Sequence, residues 1–149
     1  MNLDPRETLE TMLGLLGFYC QVEETRAESH VSLQIYLADK QRLIGRDGRV
    51  LDDIQTLLNR ILQARDKAAP KVVVDVEHYR AMQEDRLVRR VFSLAETVRS
   101  TGRPIQLEPM NAYERRIVHN AFLEDAEVTS WSPPGDARLK RITLRRRQS

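Results

Sequence analysis

The sequence predicts an α+β protein made of two small units in succession, and three observations carry that prediction. First, an alternating stretch (Val31, Leu33, Ile35 and Leu37 against Ser32, Gln34 and Tyr36) leads into the corner Gly45-Arg46-Asp47-Gly48, and an amphipathic stretch leaves it. Second, a separate set of helical and alternating patterns runs from Met82 to Arg145. Third, no Gly/Ser/Pro-rich spacer divides the sets, so the second unit starts almost at once, with a boundary near 77–80 and units expected over 1–79 and 80–149.

The elements follow in order. Leu9, Met12, Leu13 and Leu16 fall at helical spacing over residues 4–16, with Asp4-Pro5 as cap and first-turn proline and Gly17 as the stop. Phe18, Cys20 and Val22 alternate with Tyr19, Gln21 and Glu23 as a strand, and 24–30 reads as a charged hairpin into the strand 31–37. Residues 39–43 suit one helical turn before the glycines. A helix then starts at Gly48, with Val50, Leu51, Ile54, Leu57, Leu58, Ile61 and Leu62 on its apolar face. Residues 64–70 are a polar connection, and Lys71 to Val76 is a valine-dense strand.

In the second unit, Leu87, Val88, Val91, Leu94, Ala95 and Val98 mark a helix over 82–101, stopped by Gly102 and Pro104. Residues 105–107 read as a short strand. Asn111 and Glu114 have capping-box spacing, opening a helix whose core residues are expected to be Tyr113, Ile117, Ala121 and Phe122. Residues 128–131 and 139–145 form a hairpin around Ser132-Pro133-Pro134-Gly135-Asp136, with Arg141, Thr143 and Arg145 on one face and Ile142 and Leu144 on the other.

Composition narrows the function classes. The chain is 41% hydrophobic and 31% charged, that of a globular protein able to bury a core. No run approaches the length a membrane helix needs, and Met1-Asn2-Leu3-Asp4-Pro5 lacks the basic-then-apolar order of a secretory signal, so a cytoplasmic protein is expected. Cys20 is the single cysteine, which excludes an internal disulfide and a cysteine metal cluster; it reads as a small buried hydrophobe. The net charge of +2 hides an asymmetry: residues 1–79 hold 10 Lys+Arg against 13 Asp+Glu, and residues 80–149 hold 14 against 9. Six basic residues (Arg138, Lys140, Arg141, Arg145, Arg146 and Arg147) crowd the last stretch without an acid, which reads either as a solvated charge run or as a polyanion surface. Alternation across 139–144 favours the latter.

The glycine corner is the first candidate site. Gly45 and Gly48 let the backbone turn tightly with its N–H groups exposed at a helix N-terminus, and Arg46 and Arg49 add positive charge, which suits an anion. Taken alone, a Gly-x-x-Gly also reads as an ordinary loop with a helix cap. With its flanks, the stretch from about Asp4 to Asp75 resembles a KH domain of the bacterial type II arrangement, whose hallmark is the Ile-Gly-x-x-Gly at Ile44–Gly48. The resemblance implies that Gly45, Arg46, Asp47, Gly48 and Arg49 hold the backbone of about four single-stranded nucleotides while Ile44 and Val50 line a groove for bases. Asp47 is expected to cap the Val50 helix, turning its charge from the ligand.

The second candidate site is Arg115 and His119, four apart and hence on one helix face, where an exposed polar pair contributes little to stability. In its context, Glu108 to His119 resembles the core of the R-three-H domain, a small nucleic-acid-binding unit with a short mixed sheet against helices. That resemblance implies Arg115 on phosphate and His119 stacking or donating a hydrogen bond, backed by Arg116, Arg141 and Arg145. With aromatics at 5%, few stacking platforms are expected, and backbone contacts should dominate.

A type II KH domain followed directly by an R-three-H domain resembles the bacterial Jag family, also described as SpoIIIJ-associated. Many of its members carry an extra amino-terminal domain and acidic linker, whereas this chain begins at the first KH helix, so targeting functions of that domain are not expected here. The family implies a non-enzymatic cytoplasmic protein that binds single-stranded RNA, with single-stranded DNA as a second ligand, acting as a post-transcriptional regulator or RNA chaperone. It also implies a homodimer or a heterodimer with another KH-domain protein. No catalytic residue, metal site or cofactor is expected. Two alternatives stand beside this reading. One is a phosphodiesterase or nuclease using Arg115 and His119; such chemistry wants two histidines in reach or clustered carboxylates, and His30 and His78 lie in unrelated segments. The other is a protein-interaction scaffold that pairs with another KH protein.

Overall fold

The computed structural model describes residues 3–148; Met1, Asn2 and Ser149, which fall within the expected unit limits and the signal reading, lie outside them. The chain divides into two compact units, Met1–Arg80 and Ala81–Ser149.

The first unit runs α1 (Pro5–Leu15), β1 (Gln21–Arg26), β2 (His30–Tyr36), α2 (Lys40–Ile44), a 3-10 turn (Arg46–Gly48), α3 (Arg49–Arg65) and β3 (Lys71–Val76). Its sheet is mixed, in the order β1-β2-β3: β1 pairs antiparallel with β2 (Val22 opposite Ile35), and β3 pairs parallel with β2 (Leu33 opposite Val74). The parallel step needs a long crossover, which α2 and α3 supply. Alternate residues of β2 (Val31, Leu33, Ile35) turn inward onto Leu9 and Leu13 of α1 and Leu51, Ile54, Leu58 and Leu62 of α3, closing one core. Asn59 and Gln55 of α3 reach the open edge of β3: the Asn59 side chain donates to Val72 O (2.7 Å) and accepts from Val72 N (2.8 Å), and Gln55 accepts from Val74 N (2.9 Å). The edge is thus capped by side chains rather than left to another strand.

Three expectations shift in this unit. β1 lies at Gln21–Arg26, not 18–23, because antiparallel pairing carries it past Glu24 to Arg26 opposite Val31; the turn shrinks to 27–29. As an edge strand with one wet face, it tolerates the charges that made 24–30 look like loop. Cys20 is half-buried, and burial first and Glu10 second push its thiol above the ordinary value, so it is a poor nucleophile. The apolar stripe of α3 is narrower than its hydrophobic residues suggest: Val50 and Leu57 stay exposed.

α4 (Tyr79–Thr101) follows β3 immediately, three residues earlier than expected, and from Ala81 on it belongs to the second unit. That unit continues with β4 (Ile105–Met110), α5 (Ala112–Ala121), β5 (Val128–Trp131) and β6 (Lys140–Arg146). Its sheet, ordered β4-β6-β5, is wholly antiparallel, which corrects the expected mixed sheet: β5 and β6 form a hairpin, and β6 runs back along β4. β4 extends to Met110 through Pro109, longer than 105–107; an edge position and a register shift between Gln106 and Pro109 accommodate the proline. Leu87, Val91, Ala95 and Val98 of α4 and Val118 of α5 pack with Phe122 on Leu107, Met110, Val128, Ile142 and Leu144 of the sheet. Tyr113 is not in this core. It sits in the first turn of α5, more than half exposed, with its hydroxyl on Glu84, and Val118 takes the buried position instead.

Candidate nucleic-acid interface

Gly45 ends α2, with φ 74° and ψ −177°, a conformation open in practice to glycine alone. A Cβ there would overlap Cγ2 of Val50 and stand 2.9 Å from its Cβ. Asp47 (φ 55°) and Gly48 (φ 76°) are both left-handed, and Gly48 is the N-cap of α3. The corner therefore needs glycine at both ends, as its sequence implies. Two expectations about its chemistry change. Asp47 makes no capping hydrogen bond, because the left-handed backbone places Gly48 at the cap. Its carboxylate stays exposed between Arg46 and Arg49, also exposed, and opposes an anion there. The loop also spends N–H groups on itself: Gly45 donates to Gln41 O (2.9 Å), Gly48 to Gly45 O (3.4 Å), and Arg49 to Arg46 O. Ile44 is buried in the core, 3% exposed, so Val50, at 39%, is the apolar side chain that the loop offers to a ligand.

Behind the loop, Arg80 fixes the end of β3 to α3, donating from Nε to Val74 O (3.0 Å) and pairing through Nη1 with Asp52 (2.7 Å). This arginine is engaged within the unit.

In the second unit the capping box forms as its spacing predicts: Asn111 accepts from Glu114 N (2.9 Å), and Glu114 accepts from Asn111 N (3.2 Å). Arg115 is half-buried, and its Nη1 donates to Met110 O (2.6 Å) and lies 3.5 Å from Arg138 O. It ties the start of α5 to the end of β4 and to the 132–139 connection, which corrects the expectation of a structurally idle arginine. Around it, Asn111, Ala112, Tyr113, Gly135, Asp136, Ala137, Arg138 and Lys140 line a shallow open groove. His119 Nδ1 and Ser130 Oγ share a hydrogen bond of 2.6 Å. Partial burial first, and the Arg115 charge second, lower its pKa below the ordinary histidine value, so the ring is neutral at pH 7.

The basic run on β6 splits in two. Lys140 donates to Gly135 O, Arg146 to Arg99 O, and Arg147 to Asp125 O and Phe122 O, all backbone carbonyls. Arg99 also pairs with Asp125; burial would raise that carboxyl, but the N–H groups of Val128 and Glu127, together with Arg99, hold it below the usual range. These residues fasten the chain end. Arg141 and Arg145 are exposed, and among the described residues neither pairs with a carboxylate. Arg116 is exposed on α5.

The structure does not gather the five second-unit residues into one surface. Ser130, the partner of His119, is opposite Leu144 and shares its inward face, whereas Arg141, Thr143 and Arg145 point to the other side. Arg115 and His119 thus belong to the helix side of the sheet, and the free arginines to its outward face. That outward face holds a residue that sequence reasoning treated only as strand: Trp131, 44% exposed, with the Arg145 guanidinium carbon 5.8 Å from its ring centroid. The available signal was an alternating strand whose last outward position is the chain's one tryptophan.

Comparison with known proteins agrees with the second unit. Residues 87–146 match the family model of the R-three-H domain. The second unit is an R-three-H domain, a class of nucleic-acid-binding unit. Over 111 residues, 74% of its length, the chain is 33% identical to a protein of Clostridium symbiosum named RNA-binding protein KhpB, of which it spans 50%. It is 37% identical over 80 residues to the Bacillus subtilis protein of that name and 27% identical over 121 residues to the one from Lactiplantibacillus plantarum, 38% of each being covered. The chain spans half or less of these relatives, and it is related to the Jag family they represent, in agreement with the resemblance drawn from its motifs. Among the described residues, no helix is long and apolar enough to cross a membrane.

Proposed function

We propose that the chain is a non-enzymatic RNA-binding protein of the cytoplasm, acting as a post-transcriptional regulator or RNA chaperone, in which residues 1–79 form a type II KH domain and residues 80–149 the R-three-H domain. RNA is held at two places: the Gly45–Gly48 loop, with Arg46, Arg49 and Val50, and the R-three-H unit, with Arg116, Arg141 and Arg145 reaching phosphate. The observation that carries the reading is the coincidence of an R-three-H domain with two outward arginines, Arg141 and Arg145, that no carboxylate of the described residues neutralises. The names of the relatives support RNA rather than DNA as the polymer. The arrangement is less suited to the nuclease alternative: Glu114 is held in its capping box, and His119, with Nδ1 on Ser130, keeps only Nε2 for proton transfer. Binding of a labelled single-stranded RNA, followed by anisotropy over a salt series, tests the proposal: neutralising about five phosphates gives a slope of log K on log salt of about −3.5. A slope near zero, or cleavage of the RNA in Mg²⁺, rejects it.

A second reading has its own observation. At the end of α1, Leu15, Leu16 and Tyr19 are 84%, 58% and 97% exposed, which favours a protein contact such as pairing with another KH-domain protein. Light scattering of the protein alone and with a candidate partner checks it; a monomer in both cases counts against it.

A further inference from the structure

We infer that the outward face of the R-three-H sheet is a stacking platform for a base of single-stranded RNA, with Trp131 under the base and Arg141 and Arg145 on the flanking phosphates. The inference deepens the RNA-binding reading and rests on it. Trp131 ends the edge strand β5 directly opposite Thr143 of β6, and Arg141 and Arg145 stand two residues to either side of Thr143 on the same face. The ring is thus set between two cations about 13 Å apart along the strand. Thr129, Gln106 and Pro109 are the other paired positions of this face, so the indole is the large apolar surface in a basic and mostly polar setting. The carboxylate at the β4 bulge, Glu108, is drawn to Arg90 at 3.7 Å.

An arginine over an exposed indole is by itself a common surface pair. Three features point beyond it. The free arginines select a polyanion, the flat ring selects a ligand with π faces, and the absence of other large hydrophobic side chains among the outward residues of this face disfavours an apolar protein partner. Single-stranded nucleic acid is the polyanion whose bases are free to stack. Arg145 has two positions of use, over the indole without ligand and on phosphate when a base takes its place on the ring.

Because the chain has a single tryptophan, its fluorescence reports this site directly. The full-length protein is titrated with an end-labelled single-stranded RNA ten nucleotides long and with an abasic strand of the same length and charge, reading anisotropy of the label and tryptophan emission in parallel. The expected result is quenching that tracks binding of the normal strand, little quenching by the abasic strand, and about tenfold weaker RNA binding by Trp131→Ala, with Trp131→Phe between the two. Binding with unquenched emission and an unchanged affinity of Trp131→Ala overturns the platform while leaving RNA binding elsewhere on the protein intact. No rise in anisotropy with any strand overturns both readings.

Discussion

The two units build their candidate sites by opposite means. In the first, the candidate site is a backbone shape: Gly45, Asp47 and Gly48 hold positive φ, and Arg46, Asp47 and Arg49 have exposed side chains. In the second, the candidate site is a set of side chains on a regular sheet, positioned by strand pairing and by an α5 whose capping box and Arg115 tether leave its start little freedom. The lesson concerns what a substitution does. In the glycine loop, changing the scaffold and changing the site are the same act; on the sheet they can be separated residue by residue.

The largest effect that tests this contrast is Gly45→Ala. A β-carbon would overlap the Val50 side chain in a conformation that L residues avoid, so strain and overpacking together should cost the first unit about 3 kcal/mol. Gly14→Ala is the control: in α1, with nothing within 4 Å of the new carbon, it should gain about 0.5 kcal/mol. Amide hydrogen exchange in β2 measures both. If Gly45→Ala is as well protected as the parent, the loop is not the rigid backbone device described.

Within the second unit, Arg115 and Arg116 are neighbours with different duties. Arg115→Ala loses a charged donor on Met110 O and should lower stability by about 1.5 kcal/mol, whereas Arg116→Ala should leave stability within about 0.5 kcal/mol and reduce the salt slope by about 0.7. Urea unfolding followed by Trp131 emission gives the first pair of numbers, and RNA titrations the second. Equal stabilities for the two variants would return Arg115 to the idle surface role that its spacing alone suggests.

Much of this was legible in the sequence because the signals were local. The corner at Gly45–Gly48, the capping box at Asn111 and the outward set Arg141, Thr143 and Arg145 each follow from the conformational preference or period of a few residues. What was hidden depended on partners distant in sequence. Nothing near Arg115 announces that Met110 and Arg138 carbonyls converge on it, nothing in the run from Arg138 to Arg147 says which arginines are spent on carbonyls, and the inward turn of His119 is fixed by the register of β5 on β6. β1 was displaced for the same reason: its charges are tolerable only once one face is known to be wet.

Charge at the loop gives a pair of smaller, opposite effects. Arg46→Asp puts two carboxylates where phosphate is proposed to lie and should weaken RNA binding by about 1 kcal/mol, the second unit retaining part of the affinity. Asp47→Asn keeps a residue that tolerates the left-handed conformation but removes the uncapped charge, and should tighten binding by about 0.5 kcal/mol. If both leave the titration unmoved while circular dichroism is normal, the loop is not a binding site, and the comparison reduces to one functional unit and one structural one.

The smallest effect separates the two faces of the R-three-H sheet by pH. The folded-state pKa of His119 lies below the ordinary histidine value of 6.5, because burial and then the Arg115 charge disfavour the imidazolium. The unfolded chain therefore takes up this proton first as pH falls, so the contribution of a neutral His119 to stability is whole above about pH 7.5, declines through 6.5 and is gone below the folded-state pKa. Asp125, also depressed, loses its contribution only as pH falls below its ordinary 3.8, so the decline that begins near neutral pH belongs to His119 and not to Asp125. His119→Gln cannot take the proton and retains a group able to hydrogen-bond Ser130; it should flatten the fall in the urea midpoint between pH 7.5 and 5.5 as read by Trp131. RNA affinity over the same interval should keep the same pH dependence in both proteins, because His119 faces Ser130 on the inward side while Arg141 and Arg145 stay charged on the other. An affinity that rises on acidification in the parent and not in His119→Gln would place the imidazolium on the phosphate and overturn the division between the faces.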